Sequence, residues 1–361
     1  MLRRRGPASS GIAPAENDEW SPMWDHPCSV SQLVRFTRQD CRHAAVGVVP
    51  AVVLIASGHL TVGVAFAIGL LPTSLMGIAP RRRLRVVYGI VGCLFGLGVF
   101  LGALIFNSFD LLATALVFFV VCFGATVLAS SRPAGGVLLG ILIPALGVGT
   151  GYVIADAAGL MVAFIAGSLW SCLVMLPVRE FPPEGNVAER LAAAQPPHVK
   201  TYGVLLGLTA ASAILVGQVF DIPKPGWIAT AALLVIRPFQ QMTGWRGVGR
   251  ALSTIAGTLL VIVVLDMDLG YGATAIVCAV ITILTIGART SRLYVTPFGT
   301  AFLILTIELY GVDNSDNLQA IGHSRITNNV LGALIALFYG LLVSSLLERR
   351  FFAPRARPAP R

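Results

Sequence analysis

Charge is scarce in this chain. Asp, Glu, Lys and Arg make up 12% of its 361 residues, against about 25% in an ordinary soluble domain. A water-soluble globular fold is therefore not expected. No Gly-rich phosphate loop ending in Lys-Ser or Lys-Thr is present, which excludes nucleotide hydrolysis by this chain. No Gly-x-Ser-x-Gly or His-Glu-x-x-His occurs, and the five histidines are dispersed, so an enzyme is not expected. The six cysteines (Cys28, Cys41, Cys93, Cys122, Cys172, Cys278) are scattered, and no two have metal-ligand spacing. They read as buried thiols, with neither a metal site nor a disulfide frame. Arg3-Arg4-Arg5 opens the chain without an apolar core behind it, so a signal peptide is not expected. No cofactor is implied.

Apolar residues are abundant instead, at 56%. Long apolar runs recur from about residue 44 to residue 347, the pattern of a polytopic membrane protein. The expected fold is an all-α transmembrane helical bundle of about 12 spans. Residues 1–41 read as a cytoplasmic tail, disordered at first; its last part, with Leu33, Val34 and Phe36 among arginines, can form an amphipathic surface helix. Residues 42–178 hold six apolar segments. The first two are separated only by Ser57-Gly58-His59, a tight hairpin or a re-entrant unit. Residues 179–199, with Pro182-Pro183 and Pro196-Pro197, form a linker. Residues 200–347 hold six more segments, and 348–361 form a basic tail.

The basic residues test this layout. With twelve spans and both termini cytoplasmic, every Arg and Lys falls on the cytoplasmic side except Lys224, Arg237 and Arg325. Asp110, Asp156, Asp221, Asp266, Asp268, Asp313 and Asp316 fall in the opposite loops. Such sorting follows the positive-inside bias of the plasma membrane. It accounts for the net charge of +9 without nucleic acid as a partner.

The two halves resemble each other. Arg81, Arg85 and Gly92 have the spacing of Arg246, Arg250 and Gly257. Ala166-Gly167-Ser168-Leu169 lines up with Leu331-Gly332-Ala333-Leu334 at the same offset. Six spans per unit is an even number, so the units share an orientation: two parallel six-helix repeats, with the pathway between them. The first half has Leu71-Pro72 about where the second has Arg237-Pro238. It reads as a degenerate copy.

The most distinctive stretch runs from residue 227 to residue 258. An apolar run opens on Trp227 and ends at Arg237-Pro238. A polar elbow with Thr243, Arg246 and Arg250 follows, then a second apolar run with Gly257-Thr258. An arginine in an apolar span costs roughly 2.5 kcal/mol or more, so it needs a reason. This stretch resembles the motif of the fusaric-acid-resistance-like family, the aromatic acid exporters and their relatives. Trp227, Val235, Arg237-Pro238, Thr243, Arg246, Arg250 and Gly257-Thr258 fill that motif. Arg325, seven residues before Gly332-Ala333, resembles the family's later signature. The resemblance covers about residues 200–348. It implies a membrane transporter exporting small organic anions, aromatic carboxylic acids among them.

Candidate site residues follow. Arg237 can bind a carboxylate through two parallel hydrogen bonds, or snorkel and cap carbonyls freed by Pro238. Arg246 and Arg250 read first as topological anchors, with Arg250 also a substrate-binding candidate. Arg325 either collects anions or pairs with Glu308 or Asp316. Asn328 and Asn329 either join helices or line a pathway. Trp227 and Trp245 read as interfacial aromatics, with Trp227 able to stack on an aromatic substrate. Glu308 and Asp266 can carry a coupling proton, or stand as solvated loop charges. With no nucleotide motif, transport would be secondary. Two rivals remain: an anion channel resembling malate-permeable channels, and a non-transporting membrane scaffold or envelope assembly factor. Beyond the lipid bilayer and a small organic anion, a homo-oligomer or an unidentified partner subunit is open.

Overall fold

The computed structural model describes residues 36–131, 138–181, 199–236, 240–267, 269–291, 295–310 and 318–343. Among these residues the regular structure is entirely helical. The first half contains α1 (Arg38–Gly47), α2 (Val49–Ala56), α3 (Leu60–Leu75), α4 (Arg82–Ser108), α5 (Leu111–Ser131), α6 (Ile143–Gly149) and α7 (Ile154–Met175). A π-helical turn, Leu138–Leu142, leads into α6. The second half contains α8 (Val199–Val219), α9 (Gly226–Val235), α10 (Gln240–Asp266), α11 (Tyr271–Gly287), α12 (Val295–Tyr310) and α13 (Leu318–Leu337). A further π-helical stretch, Phe338–Val343, continues α13.

Local chemistry explains the breaks. Pro50 sits in the first turn of α2, where a missing N–H costs nothing. Gly58, at φ 90°, turns the chain between α2 and α3, and these two helices pack side by side. Ser57-Gly58-His59 is thus a hairpin turn. Asp110 Oδ1 accepts from the Ala113 N–H at 2.8 Å and starts α5. Glu180 accepts from the Arg82 N–H at 2.9 Å and starts α4.

Three helices begin earlier than the apolar runs indicate. α4 starts at Arg82, α10 at Gln240 and α13 at Leu318. Thr243, Arg246 and Arg250 therefore lie within the first turns of α10, and no polar elbow holds them. Arg325 lies two turns into α13 and does not begin it. Arginine is a good helix former, so a helix continues past the point where hydropathy falls.

Small residues set the packing. α7 lies against α3 and α4, and α4 also packs on α6. A Cβ on Gly69 would meet the Phe164 carbonyl oxygen, and one on Gly167 the Phe66 oxygen. Gly92 faces Thr73 and Ser168, Gly98 faces Ala145, and Gly102 the Leu146 backbone. Gly203 and Gly207 of α8 face Phe123 and Phe119 of α5. In the second half α13 packs on α9 and α10, and α10 packs on α12. Across the halves α6 packs on α9, α3 on α12, α5 on α8, and α11 on both α1 and α2.

Arg85 locks one end of the bundle. It is wholly buried. Its Nε donates to the Ala79 oxygen at 2.7 Å and its Nη1 to the Met175 oxygen at 3.0 Å and to the Val178 oxygen. It satisfies carbonyls left free where α7 ends. At the same end Arg289 pairs with buried Asp40 at 2.7 Å. His43, Ser74 and Ser171 form a buried triangle of polar contacts there, at 2.9–3.2 Å.

The outside is oily. Leu112, Leu116 and Val120 of α5, Ile90 of α4, Leu252, Leu259 and Val263 of α10, and Ile276 of α11 are all exposed. A face this apolar is unusual in water and ordinary in lipid. Five helical segments are long and apolar enough to cross a membrane: Arg38–Ala56, Arg82–Ser108, Leu111–Leu128, Ile154–Met175 and Lys200–Val219. Others, including α3, α9 and α11, are apolar but shorter.

Candidate binding site

Four helices of the second half line a cavity. α9 contributes Trp227, Thr230 and Ala231; α10 contributes Arg250, Thr254 and Thr258. α12 contributes Pro297, Thr300, Ala301 and Ile304, and α13 contributes Arg325 and Asn329. These positions recur every three or four residues, so each helix presents one face. The cavity lies within the second half, whereas the sequence places a pathway between the halves. Its volume is about 30 Å³, room for about two waters.

Glycines let the walls approach. A Cβ on Gly332 would meet the Ile228 oxygen of α9 at 2.5 Å, and one on Gly257 the Phe298 oxygen of α12 at 2.6 Å. The Gly-Thr and Gly-Ala pairs thus have a packing role. They bring α13 onto α9 and α10 onto α12.

A charged cluster stands at one end of the cavity. The Glu308 side chain is 1% exposed and ion-paired twice: Arg325 Nε lies 3.0 Å from Oε2, and Lys224 Nζ lies 3.1 Å from Oε1. The Arg325 guanidinium also stacks on the Trp227 ring, 3.1 Å from its centroid, a contact worth about 2 kcal/mol when desolvated. Two cations meet one carboxylate, so the cluster is positive by one charge. Arg325 Nη2 and Trp227 Nε1 are buried without a hydrogen-bond partner among the described residues. Buried donors of this kind are costly unless something accepts from them.

The loop before α9 completes this end. Asp221 and Lys224 have φ of 48° and 56°, the left-handed region, which costs a residue with a side chain about 1–2 kcal/mol. Asn328 Nδ2 donates to the Pro223 oxygen at 3.0 Å and the Lys224 oxygen at 3.5 Å. Lys224 Nζ also lies 5.8 Å from the centre of the Tyr152 ring.

The expected site residues separate on this geometry. Trp227, Arg250 and Arg325 line one cavity, and Glu308 and Asn328 support its end. Trp227 is 4% exposed, so it is not an interfacial aromatic: stacking on Arg325 draws it into the bundle. Arg325 pairs with Glu308, the alternative read for it from the sequence. Glu308 is no solvated loop charge. Asp266 ends α10 exposed and apart from the cluster. Arg237 lies outside the described residues, as do the side chains of Thr243, Trp245 and Arg246. Tyr152, Thr230, Thr254 and Thr300 were not singled out in the sequence, whereas Thr258 belongs to the motif and Lys224 stood out in the charge sorting. A signal for the threonines exists: Arg250, Thr254 and Thr258 are spaced by four in an apolar helix.

The helices, the apolar exterior and the buried polar cavity define a multi-pass helical membrane protein. Residues 211–339 match the fusaric acid resistance protein-like family. Over that stretch, about a third of the chain, the protein is similar to that family. The match supports a membrane-transport or efflux role in general terms. No curated protein and no solved structure matches the chain.

Proposed function

We propose that this protein is a secondary exporter of small organic anions, aromatic carboxylates among them, and that the second-half cavity is its substrate site. The observation that carries this reading is Arg325. Its guanidinium is buried in the cavity wall with one nitrogen unpartnered. A carboxylate would accept from that nitrogen. Arg250 adds a second positive charge to the wall, and threonine hydroxyls supply neutral polar contacts.

Glu308 is the coupling residue in this reading. It competes with the substrate carboxylate for Arg325, so the anion binds as the Arg325–Glu308 pair opens. A cavity of about 30 Å³ does not admit an aromatic acid as it stands. The arrangement fits a closed state that widens during the cycle. An inside-negative potential of about 100 mV would contribute roughly 2.3 kcal/mol per charge toward anion exit.

The architecture belongs to the same proposal: twelve spans in a plasma membrane, both termini cytoplasmic, as two parallel six-helix repeats. The packing supports it. α7 contacts α3 and α4 as α13 contacts α9 and α10, and α4 contacts α6 as α10 contacts α12. α6 meets α9 as α12 meets α3. An offset of 165 residues places Leu160 at Arg325 and Phe164 at Asn329. Phe164 is buried against Phe95, with ring centres 5.3 Å apart, so the first copy has filled its site with apolar side chains.

The test is efflux of labelled aromatic and aliphatic carboxylates from vesicles under an imposed potential. Wild type is set beside Arg325→Gln and Arg237→Gln. Saturable efflux lost in Arg325→Gln is expected. Full efflux in that variant moves the site elsewhere, and no flux of any anion from folded protein rejects transport. Currents far above carrier turnover would make the protein a channel.

A further inference from the structure

The loop between α8 and α9 combines strain with an unequal set of bonds. Two of its residues, Asp221 and Lys224, adopt left-handed backbone. Such conformations persist only where surrounding contacts enforce them. Here the contacts are the Lys224–Glu308 ion pair, the Asn328 hydrogen bonds to the Pro223 and Lys224 oxygens, and the approach of Lys224 to Tyr152. A Cβ on Gly151 would lie 3.1 Å from Trp227 Nε1 and 3.5 Å from Lys224 Cδ. The loop therefore sits against the turn before α7 and runs directly into Trp227, the end wall of the cavity.

Glu308 holds two cations, but they differ. The Arg325 side chain is 8% exposed and that of Lys224 is 33% exposed. Lys224 can exchange Glu308 for water at small cost, whereas Arg325 cannot. Its release also frees a strained loop. The contact most easily broken is thus one of those that hold the loop beside Arg325 and Trp227.

We propose that Lys224 is the gate residue at this end of the cavity. Its pairing with Glu308 keeps the 221–225 loop closed over Arg325 and Trp227, and loss of that pairing opens the cavity to the adjacent aqueous face. The proposal rests on the transport reading for its purpose, but its geometry can be tested without any substrate.

The probe is a membrane-impermeant thiol reagent, applied to the full-length protein in vesicles, one face at a time. Thr258→Cys places a thiol in the cavity wall. Protein with the native cysteines alone sets the background, and Phe220→Cys, at a residue 71% exposed, marks the face. From that face Lys224→Met should label Thr258→Cys about tenfold faster, a change equivalent to roughly 1.4 kcal/mol. Lys224→Arg should stay near the parent rate. Asp221→Gly should slow labelling about threefold, because glycine adopts the closed loop's backbone without strain. Equal rates in Lys224→Met and parent would overturn the gate, as would acceleration from both faces alike, which signals general loosening. Efflux absent with the labelling pattern intact would reject transport and leave the gate standing. Efflux intact with no labelling change would reject the gate alone.

Discussion

Replacing Arg325 with leucine tests the charged cluster most directly. The substitution strands Glu308, whose side chain is 1% exposed, and removes the stack on Trp227. Breaking one side of a buried ion pair costs roughly 3–5 kcal/mol. The lower end, about 3 kcal/mol, applies because Lys224 still faces Glu308 at 3.1 Å. At about 2 °C per kcal/mol for a long chain, the thermal midpoint in detergent should fall by about 6 °C. The double variant Arg325→Leu/Glu308→Leu leaves no buried charge at this end, since Lys224 is exposed enough to turn to solvent. It should recover to within about 1 kcal/mol of wild type. Anion efflux should be lost in both variants, which separates stability from transport. A double variant no more stable than the sum of two single losses would refute the coupling drawn between these residues.

Other outcomes follow from the packing. Arg85→Leu should lower stability by about 3 kcal/mol by leaving several buried carbonyls unpaired, without altering which anions are carried; thermal unfolding and a competition assay read the two effects. Gly69→Ala forces a methyl onto the Phe164 backbone and should cost about 1–3 kcal/mol. Gly159→Ala, also in a helix but facing open space, should be neutral or stabilising by up to about 1 kcal/mol; equal losses in both would undermine the close-approach argument. Thr254→Val should reduce efflux while leaving the thermal midpoint within about 1 kcal/mol of wild type.

Much of the site was present in the sequence as chemistry without position. Arg250, Arg325, Trp227 and Glu308 stand out because charge and large aromatics are unusual in such a chain. Hydropathy misplaced them, because it measures transfer into lipid and says nothing of where a helix begins. It set Arg250 in an elbow and the start of the last helix at Arg325, although both residues lie inside helices. Trp227 was read at the interface on its average preference, but a guanidinium stack outweighs that preference.

The sequence by itself determined the helical class, the membrane setting and the family stretch. Each depends on periodicity, composition or spacing within one segment. Only the tertiary structure decided that α9, α10, α12 and α13 share a cavity, and that Lys224 and Arg325 share one carboxylate. Those contacts join residues up to about a hundred positions apart, and no local pattern encodes them. The cause is the close approach of helices at Gly257 and Gly332, which brings distant side chains into one low-dielectric space where unpaired charge is too costly to leave alone.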